Sequence, residues 1–374
     1  LLLTLKAKLH PDDQQRQMLL RTIETFNRAC DDISKEAYET KTFNQYKLHH
    51  RLYYRIREKY GLPAQLTVRA VGRVVDSYKT ERKHLHLFDP HGAIIYDERI
   101  MRFLRLERVS LTTIEGRTII PLLVGAYGKL DQRRIRGQVD LLYVRGEFYL
   151  CLVVEQPEES PLTPEGYLGV DLGIVNLATT SDGVIYSGDG VEETRRRYTG
   201  LKAELQRVGT ESAGRHLRKL SGREARFKRQ TNHTISKDLV AVAKGTKRAI
   251  ALEDLKGIRS QTTVRHEQRG RHGKWAFGQL RAFVGYKAKL AGVPVLMVDP
   301  RDTSRRCSVC GHTEKANRVS QSEFRCRACG HRENADINGA KNIRWGAEVN
   351  QPIVVCQPHA GLEVEPQAHS FRGG

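Results

Sequence analysis

No stretch of this 374-residue sequence approaches the ~18 consecutive apolar residues that a membrane-spanning helix needs. The longest candidate, Thr118 to Ala126, is interrupted by Pro121. The opening run LLLTLKAKLHPDD turns charged too soon for a secretory signal, and the sequence begins at Leu rather than Met. No membrane partner is expected, and a cytoplasmic location is. Acidic residues are few beside the basic ones, 43 against 63, a net charge of +20. That balance points toward nucleic acid, although basicity alone also suits an anionic surface or plain solubility. Cysteine is sparse: seven residues, an odd number, four of them in two Cys-x-x-Cys pairs. This is a metal pattern rather than a secreted disulfide framework, and Cys30, Cys151 and Cys356 read as free thiols in a reducing compartment. With 39% hydrophobic residues and 32 glycines the composition is that of a globular chain, and its length allows two or three domains.

The pattern changes character along the chain. LLLTLKAKL alternates loosely like a strand. Pro11, Asp12 and Asp13 then open a helix whose apolar face carries Leu19, Ile23, Phe26, Cys30, Ile33 and Ala37. Two further helical stretches follow, about 44–59 and 64–79, so residues 10–80 form a helical unit. From 81 to 157, short β-rich runs separated by turn residues predict a small antiparallel barrel, with residues 1–9 as a further strand and the helices as an insertion. The Pro-rich residues 158–166 read as a linker. Beyond it comes mixed α/β sequence over 167–304 and 333–345, split by a double-cysteine segment at 305–332. Residues 346–374 show no clear period and read as a loose tail.

Cys307-x-x-Cys310 and Cys326-x-x-Cys329 sit in two similar halves, RCSVCGH and RCRACGH. Each pair suits a knuckle whose turn benefits from the following Gly311 or Gly330. Four thiolates close a tetrahedral shell that fits one Zn2+ and leaves no open position, so the site is structural. A redox dithiol needs only one pair, and a c-type haem needs His directly after the second Cys, where Gly stands. His312 and His331 are not needed as ligands.

Three carboxylates lie in informative settings. Asp171 is inside the apolar strand LGVDLGIVNL, Glu253 ends the strand AIALE, and Asp336 begins a helix in NADINGAKNI. A buried acid among aliphatic residues is costly unless paired or bound to metal. Taken singly, Asp336 reads as a helix N-terminal carboxylate and Glu253 as a strand-end charge. Together they suggest a hard-oxygen cluster for Mg2+, with two ions about 3.5–4 Å apart clamping a phosphate.

GVDLGIVNLATTSDG, ALEDLKGI and CSVCGH…FRCRACGHRENADINGAKNI, in that order, resemble the three RuvC motifs of transposon-encoded TnpB proteins, compact relatives of type V CRISPR effectors. The resemblance runs from about Tyr167 to Ile343. It implies a multidomain α+β protein: an RNase H-like (RuvC) nuclease core with an inserted zinc ribbon, preceded by a wedge β-barrel carrying a helical recognition domain. It implies an RNA-guided DNA endonuclease that holds a guide RNA from the transposon end, one protein per RNA. Such proteins recognise a short adjacent motif in double-stranded DNA and cut at one RuvC site. Carried over by position, the catalytic acids are Asp171, Glu253 and Asp336, and the zinc ligands Cys307, Cys310, Cys326 and Cys329. A nuclease-inactive guided repressor and an RNA-independent transposase stay open as alternatives. The intact acids count against the first.

Residues 195–229 hold 12 Lys/Arg against 3 Asp/Glu. Arg215, Arg218, Lys219, Arg223, Arg226 and Arg229 largely share one helical face, expected to follow the backbone of a guide–target duplex. A second basic run, with Arg259, Arg265, Arg269 and Arg271, reads as a flap near the cleft. Gln65, Thr67, Arg69 and Arg73, with Tyr53 and Tyr54 before them, are candidates for reading or stacking on bases. His49, His50, His84, His86 and His91 are too irregularly spaced for a metal cluster and are expected to face solvent or phosphate.

Overall fold

Asp12 caps the first helix: its carboxylate accepts from the Gln15 N–H at 2.8 Å, while Gln15 Oε1 accepts from the Asp12 N–H at 3.2 Å. This reciprocal pair starts α1 (Asp13–Glu39), which buries Leu19, Ile23, Phe26, Cys30 and Ile33 along one stripe. Asn44 caps α2 (Gln45–Tyr60), and Gly61, in the left-handed region at φ 63°, ends it before α3 (Ala64–Thr80). The computed structural model describes residues 1–105, 108–123, 134–173, 175–254 and 277–350. It separates into two units, Leu2–Gln156 and the described residues from Pro157 onward.

The first unit combines these helices with a seven-stranded antiparallel sheet. Its strands are β1 (Leu2–Leu9), β2 (Ile94–Tyr96), β3 (Met101–Arg105), β4 (Arg108–Thr113), β5 (Gly116–Leu123), β6 (Ile135–Val144) and β7 (Glu147–Glu155). The order is β2-β6-β7-β1-β5-β4-β3. Alternation sets the faces: in β5, Thr118, Ile120 and Leu122 are buried while Ile119, Pro121 and Leu123 point out. The edge strands β2 and β3 are separated by only four residues of chain yet form no ladder, so the expected barrel is a sheet curled short of closure. Sheet and helices share one core, with Phe26, Tyr78, Tyr96 and Phe148 fully buried.

The second unit is a five-stranded sheet of β8 (Tyr167–Asp171), β9 (Asn176–Thr180), β10 (Ile185–Ser187), β11 (Ala249–Glu253) and β12 (Val295–Val298). Its order is β10-β9-β8-β11-β12: β9 runs antiparallel to both β10 and β8, and β11 and β12 run parallel to β8. Ala249 to Leu252 are buried without alternation, as a central strand flanked by parallel partners requires. The helices are α4 (Asp189–Val208), α5 (Glu211–Gly245), α6 (Phe277–Leu290) and α7 (Ala335–Asn350), and a β13 (Glu323–Arg325)–β14 (Arg332–Asn334) hairpin precedes α7.

Two expectations need correction. Residues 346–350 are helix rather than tail, because Gly346 packs against Val298 and Ala347 joins a small core with Ala251 and Ile343. Residues 158–166 are no free linker: Glu159, Leu162 and Glu165 N–H groups donate to the carbonyls of Leu290, Gly292 and Lys247. The basic run at 259–271, Cys356 and the remainder of the predicted tail lie outside the described residues. No helix among the described residues is long and apolar enough to cross a membrane. Overall the architecture is mixed α+β.

Candidate functional site

β11 pairs with β8 at a constant offset, Ala249 beside Tyr167 through Leu252 beside Val170. One step further the same offset brings Glu253 beside Asp171. Both acids therefore stand at the carboxyl ends of adjacent parallel strands, on the same face. That is also where the strand order reverses, outward from β8 to β10 and then to β11 and β12 on the other side, the usual location of ligand sites in open α/β sheets. Asp336 arrives from a different element, the first turn of α7. This helix lies directly on β8: a Cβ at Gly169 would overlap the Ala340 carbonyl oxygen and sit 2.6 Å from the Arg344 nitrogen. A Cβ on Gly339 would sit 3.1 Å from Asp171 Oδ2. At Gly169 the opposing atoms are backbone and only glycine allows the approach, while at Gly339 the Asp171 carboxylate would have to shift, so these two bare positions bring the third acid to the first.

The three carboxylates feel one another. Burial, then the charges of Glu253 and Asp336, push the Asp171 carboxyl up to about 7, against the opposing pull of Arg318. Burial also raises Glu253, opposed by a hydrogen bond from the Thr303 hydroxyl at 2.5 Å and by Arg318. Asp336 accepts from Asn176 Nδ2 at 2.8 Å through Oδ2, and from Arg318 Nη2 at 3.3 Å through Oδ1. Among the described residues, no choice of one oxygen from each of these three acids puts all three within 4.8 Å of one another. Their donors are hard oxygens only, and the charges of Glu253 and Asp336 both act on Asp171, so the donor chemistry suits a hard divalent cation. Nothing in the sequence singles out Asn176, Thr303, Asn342 or Arg318. Arg318 carries no distinguishing mark in a chain with 63 basic residues.

The four cysteines come together as expected. Their sulfurs lie within 4.8 Å of one another, with Cys307–Cys329 at 3.7 Å and Cys310–Cys326 at 3.5 Å. Zn–S bonds of ~2.3 Å put tetrahedral sulfurs about 3.8 Å apart, so the site can hold a zinc ion. The two knuckles repeat each other bond for bond. Gly311 N–H donates to Cys307 O and Gly330 N–H to Cys326 O, while Cys307 and Cys326 N–H donate to His312 and His331 O. Gly311 and Gly330 sit at φ 76° and 73°, which the turns demand. Burial works against the Cys326 thiolate, yet the N–H groups of Cys329 and Ala328 hold the thiol down at about 6, ready for metal. Cys326→Ser is expected to reduce bound zinc from one per chain to near zero. It should also shift the fluorescence of Trp345, whose ring lies 3.5 Å from the Arg306 guanidinium beside the first knuckle. Atomic absorption and emission spectra check both, and full zinc occupancy in the variant contradicts the shell.

The basic residues Arg215, Arg218, Lys219, Arg223, Arg226 and Arg229 are all exposed on α5. α4, which buries no residue, runs beside it, tied by Lys202 to Glu224 at 2.5 Å. The base-reading candidates fare differently. Thr67 is fully buried, its hydroxyl on the Pro63 carbonyl at 3.2 Å, so it is a core residue and cannot contact a base. Its neighbours at i+4 and i+7, Val71 and Val74, already marked that face as the core. Gln65 and Arg69 are committed to Asp97, which they bond at 2.6 and 2.8 Å. Arg73 is half-buried, with its guanidinium 5.6 Å from the Phe88 ring. Tyr53 is half-buried against His49, and Tyr54 is 77% exposed. Of the histidines, His86 packs edge-on against Tyr78 rather than facing solvent.

Two family models match this chain: "Cas12f1-like, TNB domain" over residues 277–343 and OrfB_IS605, "Probable transposase", over 150–256. The Escherichia coli K12 protein InsQ, named for RNA-guided DNA endonuclease activity, is 31% identical over 258 residues, covering 63% of each chain. The CRISPR-associated endodeoxyribonuclease Cas12f1 of Sulfoacidibacillus thermotolerans is 32% identical over 217 residues, 53% of this chain and 50% of that one. The match thus spans less than two thirds of either relative. The solved structure of the mini-RNA-guided endonuclease CRISPR-Cas_phi3 superposes with a TM-score of 0.56 over 95% of this chain and 93% of its own, at 10% identity, a likeness of fold.

Proposed function

We propose that this chain, a relative of the TnpB and Cas12f proteins, is an RNA-guided DNA endonuclease that cuts double-stranded DNA at Asp171, Glu253 and Asp336 with bound Mg2+. The observation that carries this reading is the convergence of three acids, from two parallel strand ends and one helix start, at a point where burial and mutual repulsion raise Asp171 to about 7. Strands β8 to β10 in antiparallel order followed by parallel β11 and β12 support an RNase H-like, RuvC-type core over 167–304 and 333–345, with the zinc ribbon 305–332 inserted before α7. The curled sheet with three helices inserted after its central strand supports the wedge and recognition roles of 1–9, 81–157 and 10–80.

Bound Mg2+ supplies Lewis-acid chemistry, a water of lowered pKa and neutralisation of charge on the leaving oxygen. The chain's own groups prepare the site for it. Asp171, Glu253 and Asp336 would hold the cation. Thr303 and Asn176 donate to Glu253 and Asp336, and Arg318 adds positive charge beside Asp336. The exposed basic face of α5 fits the backbone of a guide RNA–DNA duplex by charge alone, one chain per RNA. Arg218→Ala and Arg226→Ala are each expected to weaken nucleic-acid binding uniformly across sequences and to lower the salt slope by about one. Filter binding from 50 to 200 mM salt reads this, and an unchanged slope places the duplex elsewhere.

The reading is tested by purifying the chain together with transposon-end DNA and sequencing the RNA that copurifies. A discrete RNA whose guide segment can be rewritten to redirect cutting beside a short adjacent motif is the expected result. Action on transposon ends without RNA overturns it in favour of a transposase, and guided binding without cutting in favour of a repressor.

A further inference from the structure

We propose that Thr303 is a positioning residue for Glu253, held in place by Asn342, so that α7 orients two of the three carboxylates: Asp336 directly and Glu253 through Thr303. The inference rests on the nuclease reading of the site. Glu253 ends β11 with a side chain that burial alone would leave free to turn. Its carboxylate accepts a hydrogen bond from Thr303 Oγ1 at 2.5 Å. That hydroxyl also lies 3.0 Å from the Pro300 carbonyl, but it has one proton, and the shorter contact to a carboxylate is the stronger.

Thr303 follows β12 in a turn closed by Arg305 and Arg306 N–H groups on the Asp302 carbonyl, and Asp302 itself is left-handed at φ 60°. What fixes this turn is α7. Asn342 Nδ2 donates to the carbonyls of Thr303 at 2.8 Å and Arg306 at 2.7 Å. One turn earlier, Asn338 donates to Arg306 O at 2.8 Å and accepts from Ser308 N–H at 3.0 Å. The segment so gripped runs into Cys307, the first ligand of the metal ribbon. Asn342 is 3% exposed, and its Oδ1 has no partner. An unsatisfied buried acceptor is costly, and an aliphatic side chain would avoid that cost, so the helix retains the amide for its two donors.

The bonds divide in a way that permits a clean test. Asn342 grips the backbone of Thr303, and only the hydroxyl reaches Glu253. Thr303→Val therefore keeps volume, turn and ribbon attachment while removing that donor. In the RNA-loaded protein it is expected to slow DNA cutting and raise the half-saturating Mg2+ concentration, together by about 10–100-fold. Thr303→Ser should restore both to near wild type, and zinc content should stay at one per chain in each variant. An independent reading comes from the RNA-free full chain: added Mg2+ should raise the melting temperature of wild type and Thr303→Ser more than that of Thr303→Val. Equal Mg2+ dependence in wild type and Thr303→Val, or a Ser variant as impaired as Val, overturns the proposal. If wild type fails to cut with a matched guide, the nuclease reading falls separately. The positioning role is then decided by the melting shifts, and a shift that is equal or absent in both proteins overturns it.

Discussion

Asp171→Asn is expected to abolish guided DNA cutting, by on the order of 10³-fold or more, and at the same time to stabilise the metal-free chain above neutral pH. The two effects have one cause. In the folded chain, burial and the charges of Glu253 and Asp336 push the Asp171 carboxyl from its ordinary 3.8 to about 7. Between those values the folded state holds a proton that the unfolded state has released, so stability falls as pH rises from about 4 to about 7 and is then level. At ~1.36 kcal/mol per pKa unit, the ionised carboxylate costs the metal-free fold up to about 4 kcal/mol at pH 8. Asn removes that charge and its share of the slope. Urea denaturation at pH 4 and pH 8 reads the result: wild type and variant nearly equal at pH 4, the variant more stable at pH 8. Mg2+ should restore wild type alone. A variant less stable than wild type at pH 8 would show that Asp171 is a paired structural charge.

The second large effect belongs to a residue with no side chain. Gly169→Ala introduces a Cβ that overlaps the Ala340 carbonyl oxygen and approaches the Arg344 nitrogen to 2.6 Å. Both are backbone atoms of α7, so no rotamer change relieves the clash, and the helix must lift from β8. Overpacking of this kind costs about 1–3 kcal/mol and more where backbone must move. A shift of about 1 Å in Asp336 relative to Asp171 is enough to cost ~10²-fold in rate. Gly169→Ala is therefore expected to lower both the denaturation midpoint and the cutting rate. Gly190, beside which a Cβ meets nothing within 4 Å, should tolerate Ala. Cutting by Gly169→Ala at the wild-type rate would mean that α7 does not set the geometry of the acids.

The legible parts of the sequence were those where local chemistry is unusual. Asp171 and Glu253 are acids in aliphatic strands, and the cysteine halves announce their own repeat. What could not be read is how the crossover registers. The separation of Glu253 from Asp171 means nothing along the chain, yet it equals the offset at which β11 pairs with β8. The same limit explains Thr67, a base-reading candidate although its helical period places it in the core, and Gln65 and Arg69, whose shared partner Asp97 lies 32 and 28 residues further along the chain, a separation no periodicity reveals. β10 is three residues long, too short for alternation to register. Asn342 and Thr303 are ordinary in sequence, and only the turn after β12 packed under α7 gives them a task.

The most direct test of the account is cleavage of a plasmid library by the chain loaded with a rewritten guide RNA, in Mg2+, beside Asp171→Asn. The account predicts cuts only in plasmids that match the guide next to a common short motif, none without Mg2+, and none by the variant. Guide-directed cutting that survives Asp171→Asn would contradict it, because the hydrolytic site would then lie elsewhere in the chain.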